Sequence, residues 1–115
     1  MHIGDFARLT GLSEYTIRYY EKAGVLRPAK RNGGGLRDFD EGDIAWMEFV
    51  RRLKDTSMPI DEIKCYAELR AAGDGTRGER LRLLEVHEKR LVQEIADKSN
   101  NLEKLREKIE FYKKG

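Results

Sequence analysis

One short run, Ser13-Glu14-Tyr15-Thr16-Ile17-Arg18-Tyr19-Tyr20-Glu21, gathers side-chain types that touch phosphates and base edges. The Arg18 guanidinium can donate two parallel hydrogen bonds to a phosphate or a guanine edge. The hydroxyls of Tyr15, Thr16, Tyr19 and Tyr20 can reach phosphate oxygens or base edges. Ile17 alone is apolar enough to point inward. A second cationic group follows, with Lys30, Arg31 and Arg37 around the triplet Gly33-Gly34-Gly35. A third candidate is Cys65, the one cysteine, beside Lys64. A neighbouring cation favours thiolate, although a lone cysteine also serves as a small apolar filler. Other chemistry finds little support. No Ser/His/Asp set, second cysteine or acid/base carboxylate pair is suggested, so an enzyme is not expected. His2 and His87 are far apart and read as surface residues, so neither a metal nor a cofactor is expected. The glycine triplet has no Gly-Lys-Ser/Thr ending and no apolar strand before it, unlike a nucleotide-cradling loop.

These groups need elements to hold them. Ser13 can cap a helix by accepting from the amides of its first turn. Upstream, Ile3, Phe6, Ala7 and Leu9 suit the inner face of a shorter helix, and Thr10-Gly11-Leu12 makes a tight turn between the two. Short helix, glycine turn and polar second helix form a helix-turn-helix, whose second helix enters the major groove. Gly24 ends that helix and Pro28 prevents its resumption. Residues 29–39 read as a hairpin with a glycine-rich tip, a basic wing able to lie along a phosphate backbone. Asp40 caps a third helix carrying Ile44, Trp46, Met47, Phe49, Val50 and Leu53, with Arg51, Arg52 and Lys54 as its solvated face. Pro59 opens a fourth helix, with Ile60, Ile63, Tyr66, Ala67 and Leu69, ending near Arg70.

The last third is of another kind. After a Thr76-x-x-Glu79 capping signature, no proline or glycine interrupts from Glu79 to Lys114. Alternating steps of three and four pick out Leu81, Leu84, Glu88, Leu91, Ile95, Lys98, Leu102, Leu105, Ile109 and Tyr112. This is a coiled-coil seam with two polar interruptions, Glu88 and Lys98. A helix over 77–113 would run roughly 55 Å at about 1.5 Å per residue. A head of this size cannot cover it, so a second copy is expected to, along Leu81, Leu84, Leu91, Ile95, Leu102, Leu105, Ile109 and Tyr112. The expected organisation is a head over 1–71, a linker over 72–76 and a dimerisation helix over 77–113.

Bulk properties agree. The 115 residues suit a small head with an extension. Residues 1–37 hold seven Lys/Arg against three Asp/Glu, whereas 38–115 hold sixteen against eighteen. The positive excess therefore lies with the helix-turn-helix and wing, the electrostatic footprint of a DNA-binding head. No apolar run approaches the ~20 residues of a membrane span, and no signal peptide is read. With one cysteine, no internal disulfide can form, which fits a cytoplasmic protein.

The runs Ile3-Gly4-Asp5-Phe6-Ala7, Thr10-Gly11-Leu12-Ser13, Thr16-Ile17-Arg18-Tyr19-Tyr20-Glu21, Gly24-Val25-Leu26 and Pro28 resemble the MerR family of bacterial transcriptional regulators. Gly35-Leu36-Arg37-Asp38-Phe39-Asp40 and Pro59-Ile60-Asp61-Glu62-Ile63 fit the same register. The resemblance implies a mainly α fold: a winged helix-turn-helix head, then a long helix forming an antiparallel coiled coil in a homodimer. It implies double-stranded promoter DNA and RNA polymerase as partners, on promoters whose two recognition elements lie too far apart until the spacer is bent and untwisted. Arg18 matches the arginine of the family's DNA-reading helix, Tyr19 and Tyr20 its DNA-facing tyrosines, and Arg37 its wing arginine. Leu36 and Phe39 stand where the family commonly has tyrosine, and Asp38 where it often has a basic residue. Leu53-Lys54-Asp55-Thr56-Ser57-Met58 and Lys108-Ile109-Glu110-Phe111-Tyr112-Lys113 look like the small aldehyde- and thiol-stress-responsive branch. Arg52 occupies that branch's sensing-cysteine position, so the signal is lost, different or moved to Cys65, the effector-sensing candidate. The competing expectation is a coiled-coil interaction protein with a vestigial DNA-binding head.

Overall fold

Two helices of the head are opened by side-chain caps, Ser13 and Asp40, and two are closed by left-handed glycines, Gly11 and Gly24. The computed structural model describes residues 1–27, 30–31 and 37–115, with side chains for all of these but Lys30, Arg31 and Arg37. The elements are α1 (Ile3–Thr10), α2 (Glu14–Ala23), β1 (Lys30–Arg31), β2 (Arg37–Asp38), α3 (Glu41–Asp55), α4 (Ile60–Ala71), a 3-10 turn (Asp74–Thr76) and α5 (Arg77–Lys113). Ser13 Oγ accepts from the Thr16 amide at 3.1 Å, opening α2. Gly24, at φ 81°, closes it in the left-handed conformation. Asp40 and Asp43 form a reciprocal capping box, each carboxylate accepting the other's amide at 3.0 Å.

The turn between α1 and α2 needs Gly11. Its φ is 72°, and a Cβ there would meet Arg51 Nη2 at 3.2 Å. Arg51 is close because its guanidinium donates to the Thr10 carbonyl. A residue of α3 read as solvated thus fastens the helix-turn-helix. Arg27 does similar work, donating to Asp40 at 3.0 Å and Asp43 at 2.9 Å. Burial pushes the Asp43 carboxyl above its ordinary value, against the pull of the Asp40 amide and Arg27. The amide of Asp43, aided by Arg27, holds Asp40 below its own.

The core of the head is built from Phe6, Ile17, Val25, Leu26, Phe39, Met47, Val50 and Ile63. Phe6 and Phe39 stack with ring centroids 4.3 Å apart. Trp46 Nε1 donates to the Val25 carbonyl at 2.7 Å, joining α3 to the turn after α2. β1 and β2 pair antiparallel, Lys30 opposite Asp38 and Arg31 opposite Arg37. The glycine triplet and Leu36 lie outside the described residues.

Two expectations about inward faces need correction. Leu9 is 57 % exposed, and Thr10 takes the inner position instead. On a helix of 100° per residue, Ile3, Phe6 and Thr10 fall within about 60° of one another while Leu9 swings away. The Thr10 hydroxyl is satisfied by donating to the Phe6 carbonyl at 2.7 Å. His87, read as a surface residue, is buried. It belongs to a less exposed stripe of α5 at helical spacing with Leu83, Leu84, Arg90 and Leu91, and its Nδ1 lies 3.4 Å from Arg90.

The chain divides into two compact units, Met1–Arg80 and Leu81–Gly115. In the first, the Thr76 hydroxyl donates to the carbonyls of Leu69 and Gly73 at 2.5 and 2.8 Å, drawing the 3-10 turn back onto α4. The second is the remainder of α5. There the seam residues Leu81, Ile95, Leu102, Leu105, Ile109 and Tyr112 are exposed, while Leu84 and Leu91 are half-buried. Glu88 and Lys98 are exposed as well. Among the described residues, no helix is long and apolar enough to cross a membrane.

Candidate nucleic-acid interface

Helix α2 sorts its side chains by angle. Ile17 and Tyr20, three apart, face the core. Tyr15, Arg18 and Tyr19 stand on the other side, Tyr15 at 80 % exposure. Thr16 is half-buried at the edge, its hydroxyl accepting from Ser13 Oγ at 2.9 Å. Arg18 Nη2 lies 3.3 Å from Glu14 Oε1, one turn back, with both side chains largely in water. Such a pair is worth only about 0.3–0.5 kcal/mol, so a phosphate or guanine edge can displace Glu14 at small cost. The face combines one guanidinium and two phenols on a rigid helix capped at both ends.

Tyr20 does not join that face. It is 4 % exposed and lines one surface cavity with Leu12, Met47 and Arg51. Its placement beside Tyr19 in sequence hid the fact that 100° separates the two around the helix. Tyr20 is therefore buried with the core, where an exposed, DNA-facing tyrosine is expected from the sequence. Tyr19 keeps the exposed role.

The wing places Lys30, Arg31 and Arg37 by backbone only, on two paired strands; their side chains lie outside the described ones. Two of the three family departures there can be read directly. Phe39 is buried against Phe6, so the absent tyrosine hydroxyl concerns the core rather than a gripping surface. The Asp38 carboxylate accepts from the N-terminal ammonium at 2.6 Å, which offsets its charge next to the basic strand. Leu36 lies outside the described residues.

Cys65 is exposed on α4, and it is a free thiol. Among the described residues, no group of three or more His, Cys, Asp or Glu is arranged to hold a metal.

The chain is similar to known proteins. The family model described as "MerR HTH family regulatory protein" matches residues 1–69. An uncharacterized HTH-type transcriptional regulator of Haemophilus influenzae is 38 % identical over 109 residues, covering 95 % of this chain and 81 % of its own. The HTH-type transcriptional regulator AdhR of Bacillus subtilis is 37 % identical over 93 residues, 81 % of this chain and 66 % of its own. Among solved structures, HiNmlR, a MerR family regulator lacking the sensor domain and bound to promoter DNA, superposes with a TM-score of 0.87 at 36 % identity. That match covers 98 % of this chain and 90 % of the other.

Proposed function

This chain belongs to the MerR HTH family of regulatory proteins, and from that premise we propose how it works. It is a DNA-binding transcriptional regulator that acts as a homodimer, with no catalytic step, in the cytoplasm. Tyr15, Arg18 and Tyr19 enter the major groove, with Thr16 at the rim. Lys30, Arg31 and Arg37 follow the flanking phosphates. The seam on α5, assembled antiparallel, holds the two heads at a fixed separation, and the distorted promoter spacer brings both recognition elements to RNA polymerase. The observation that carries this reading is the division of α2, with Ile17 and Tyr20 sealed into the core and Tyr15, Arg18 and Tyr19 in solvent. The competing idea of an interaction protein with a vestigial head is less well supported. A head that had lost its ligand has no need of exposed phenols and a guanidinium on a doubly capped helix.

The wing supplies the test. Replacing Arg37 with alanine removes one phosphate contact per head, two per dimer. The plot of log affinity against log salt should flatten by about two units, since each contact contributes roughly 0.9. Affinity should fall for all duplex sequences alike. A slope identical to that of the unmodified chain would detach Arg37 from the phosphates. No measurable affinity of the unmodified chain for any duplex would return the interaction reading.

Cys65 is the residue through which an electrophile would be sensed, being exposed and the chain's one thiol. Treatment with a reactive aldehyde or with diamide should alter promoter output, and Cys65→Ser should abolish the change. The same response in the serine variant would make the thiol a bystander.

A further inference from the structure

The seam of α5 carries two charges in positions otherwise apolar, Glu88 and Lys98. Both are exposed in the single chain. They lie ten residues apart, about 15 Å along one helix, too far to meet within a chain. A second copy brings them together in one arrangement only. In a parallel, in-register pair Glu88 would face Glu88 and Lys98 would face Lys98, like charges in a drying interface. In an antiparallel pair, a seam of alternating threes and fours permits registers one heptad apart. One of them sets Glu88 opposite Lys98 of the partner copy, and between Leu81 and Leu105 its other layers are apolar on apolar: Leu81 with Leu105, Leu84 with Leu102, Leu91 with Ile95. The next register along pairs Glu85 with Arg106 at the rim, yet sets Glu88 against Leu105 and Lys98 against Ile95. An exposed rim pair gains little, whereas a charge left unpaired in the seam costs much more.

We infer that Glu88 and Lys98 pair across the dimer two-fold and thereby specify both the antiparallel orientation and the heptad register of the coiled coil. This deepens the homodimer reading and rests on it. The occupant of the exposed seam is a second copy of this chain, chosen by charge complementarity at two positions. The chosen register also brings the two copies of Glu94 near each other at the two-fold, an exposed repulsion that salt screens. Ile109 falls opposite Arg77 at the start of the partner's α5, and Tyr112 runs on past that helix.

Charge exchange tests it. Glu88→Lys and Lys98→Glu, each alone, should raise the dimer dissociation constant by at least about tenfold. The double exchange should restore it to within about threefold, because each layer again holds opposite charges. A double variant as weak as the singles would overturn the pairing, and so would singles that dimerise like the unmodified chain, the result a parallel pair gives. Cysteine pairs in a Cys65→Ser background read the register directly. Leu81→Cys with Leu105→Cys should cross-link between chains on oxidation, and Leu81→Cys with Tyr112→Cys should not. Within one helix, residues 81 and 105 are roughly 36 Å apart and cannot bridge. The reverse result would overturn the register. A monomeric unmodified chain would instead remove the homodimer reading itself, so the two failures are separable.

Discussion

Operator binding by an Arg18→Ala variant falls by about 1–3 kcal/mol per head, at least about tenfold for a dimer using two heads, and the loss is confined to specific sequence. Arg18 lies in solvent, its guanidinium held only by Glu14 at 3.3 Å across one helical turn. Its removal costs the fold almost nothing. The Ser13 cap, the Gly24 terminus and the buried faces of Ile17 and Tyr20 all remain. Thermal unfolding and dimer mass should therefore match the unmodified chain, while competition by non-specific duplex becomes far more effective. Operator affinity and specificity equal to the unmodified chain's would show that α2 is not the element that reads sequence.

The second large effect lies at the other end of the chain. Leu102→Asp should convert the dimer to a monomer at micromolar concentration. In either antiparallel register Leu102 meets another leucine of the seam, Leu84 or Leu91, so the two-fold places two unpaired carboxylates in apolar layers. Leu102 is exposed in the single chain, and the head has a core of its own, so the variant monomer should stay folded. Its DNA affinity should drop far more than any single contact explains. The second head no longer binds as a tethered partner, and a tether of this kind is worth about 10²–10⁴-fold. Sedimentation reads the mass and circular dichroism the helix content. A variant that remains dimeric at the same concentration would exclude the seam as the interface.

Much of this architecture could be read from sequence because its signals are local. Ser13, Gly24, Asp40 and Gly11 act on amides and dihedrals within a few residues, so residue type alone suffices. The three-four spacing of the seam is likewise a property of the chain itself. Tyr20, Leu9 and His87 depart from expectation because burial depends on angle around a helix and on what packs against it. Tyr20 shares a face with Ile17, Leu9 turns away from Phe6, and His87 lies in a less exposed stripe of α5. The roles of Arg51 and Arg27 are not legible in the sequence for a related reason. Each partners a group distant in sequence, the Thr10 carbonyl and the Asp40–Asp43 cap, and nothing near a lone arginine announces a long-range acceptor. Phe39 shows the converse. A substitution at the wing that suggested a looser grip turns out to concern a stacked core pair.

Selection from a random duplex pool, followed by sequencing of what the unmodified chain retains, probes most directly the claim that α5 sets two α2 heads on one DNA. Enriched sequences should share two inverted half-sites at one fixed separation. A single half-site, half-sites at variable separation, or no enrichment at all would contradict it.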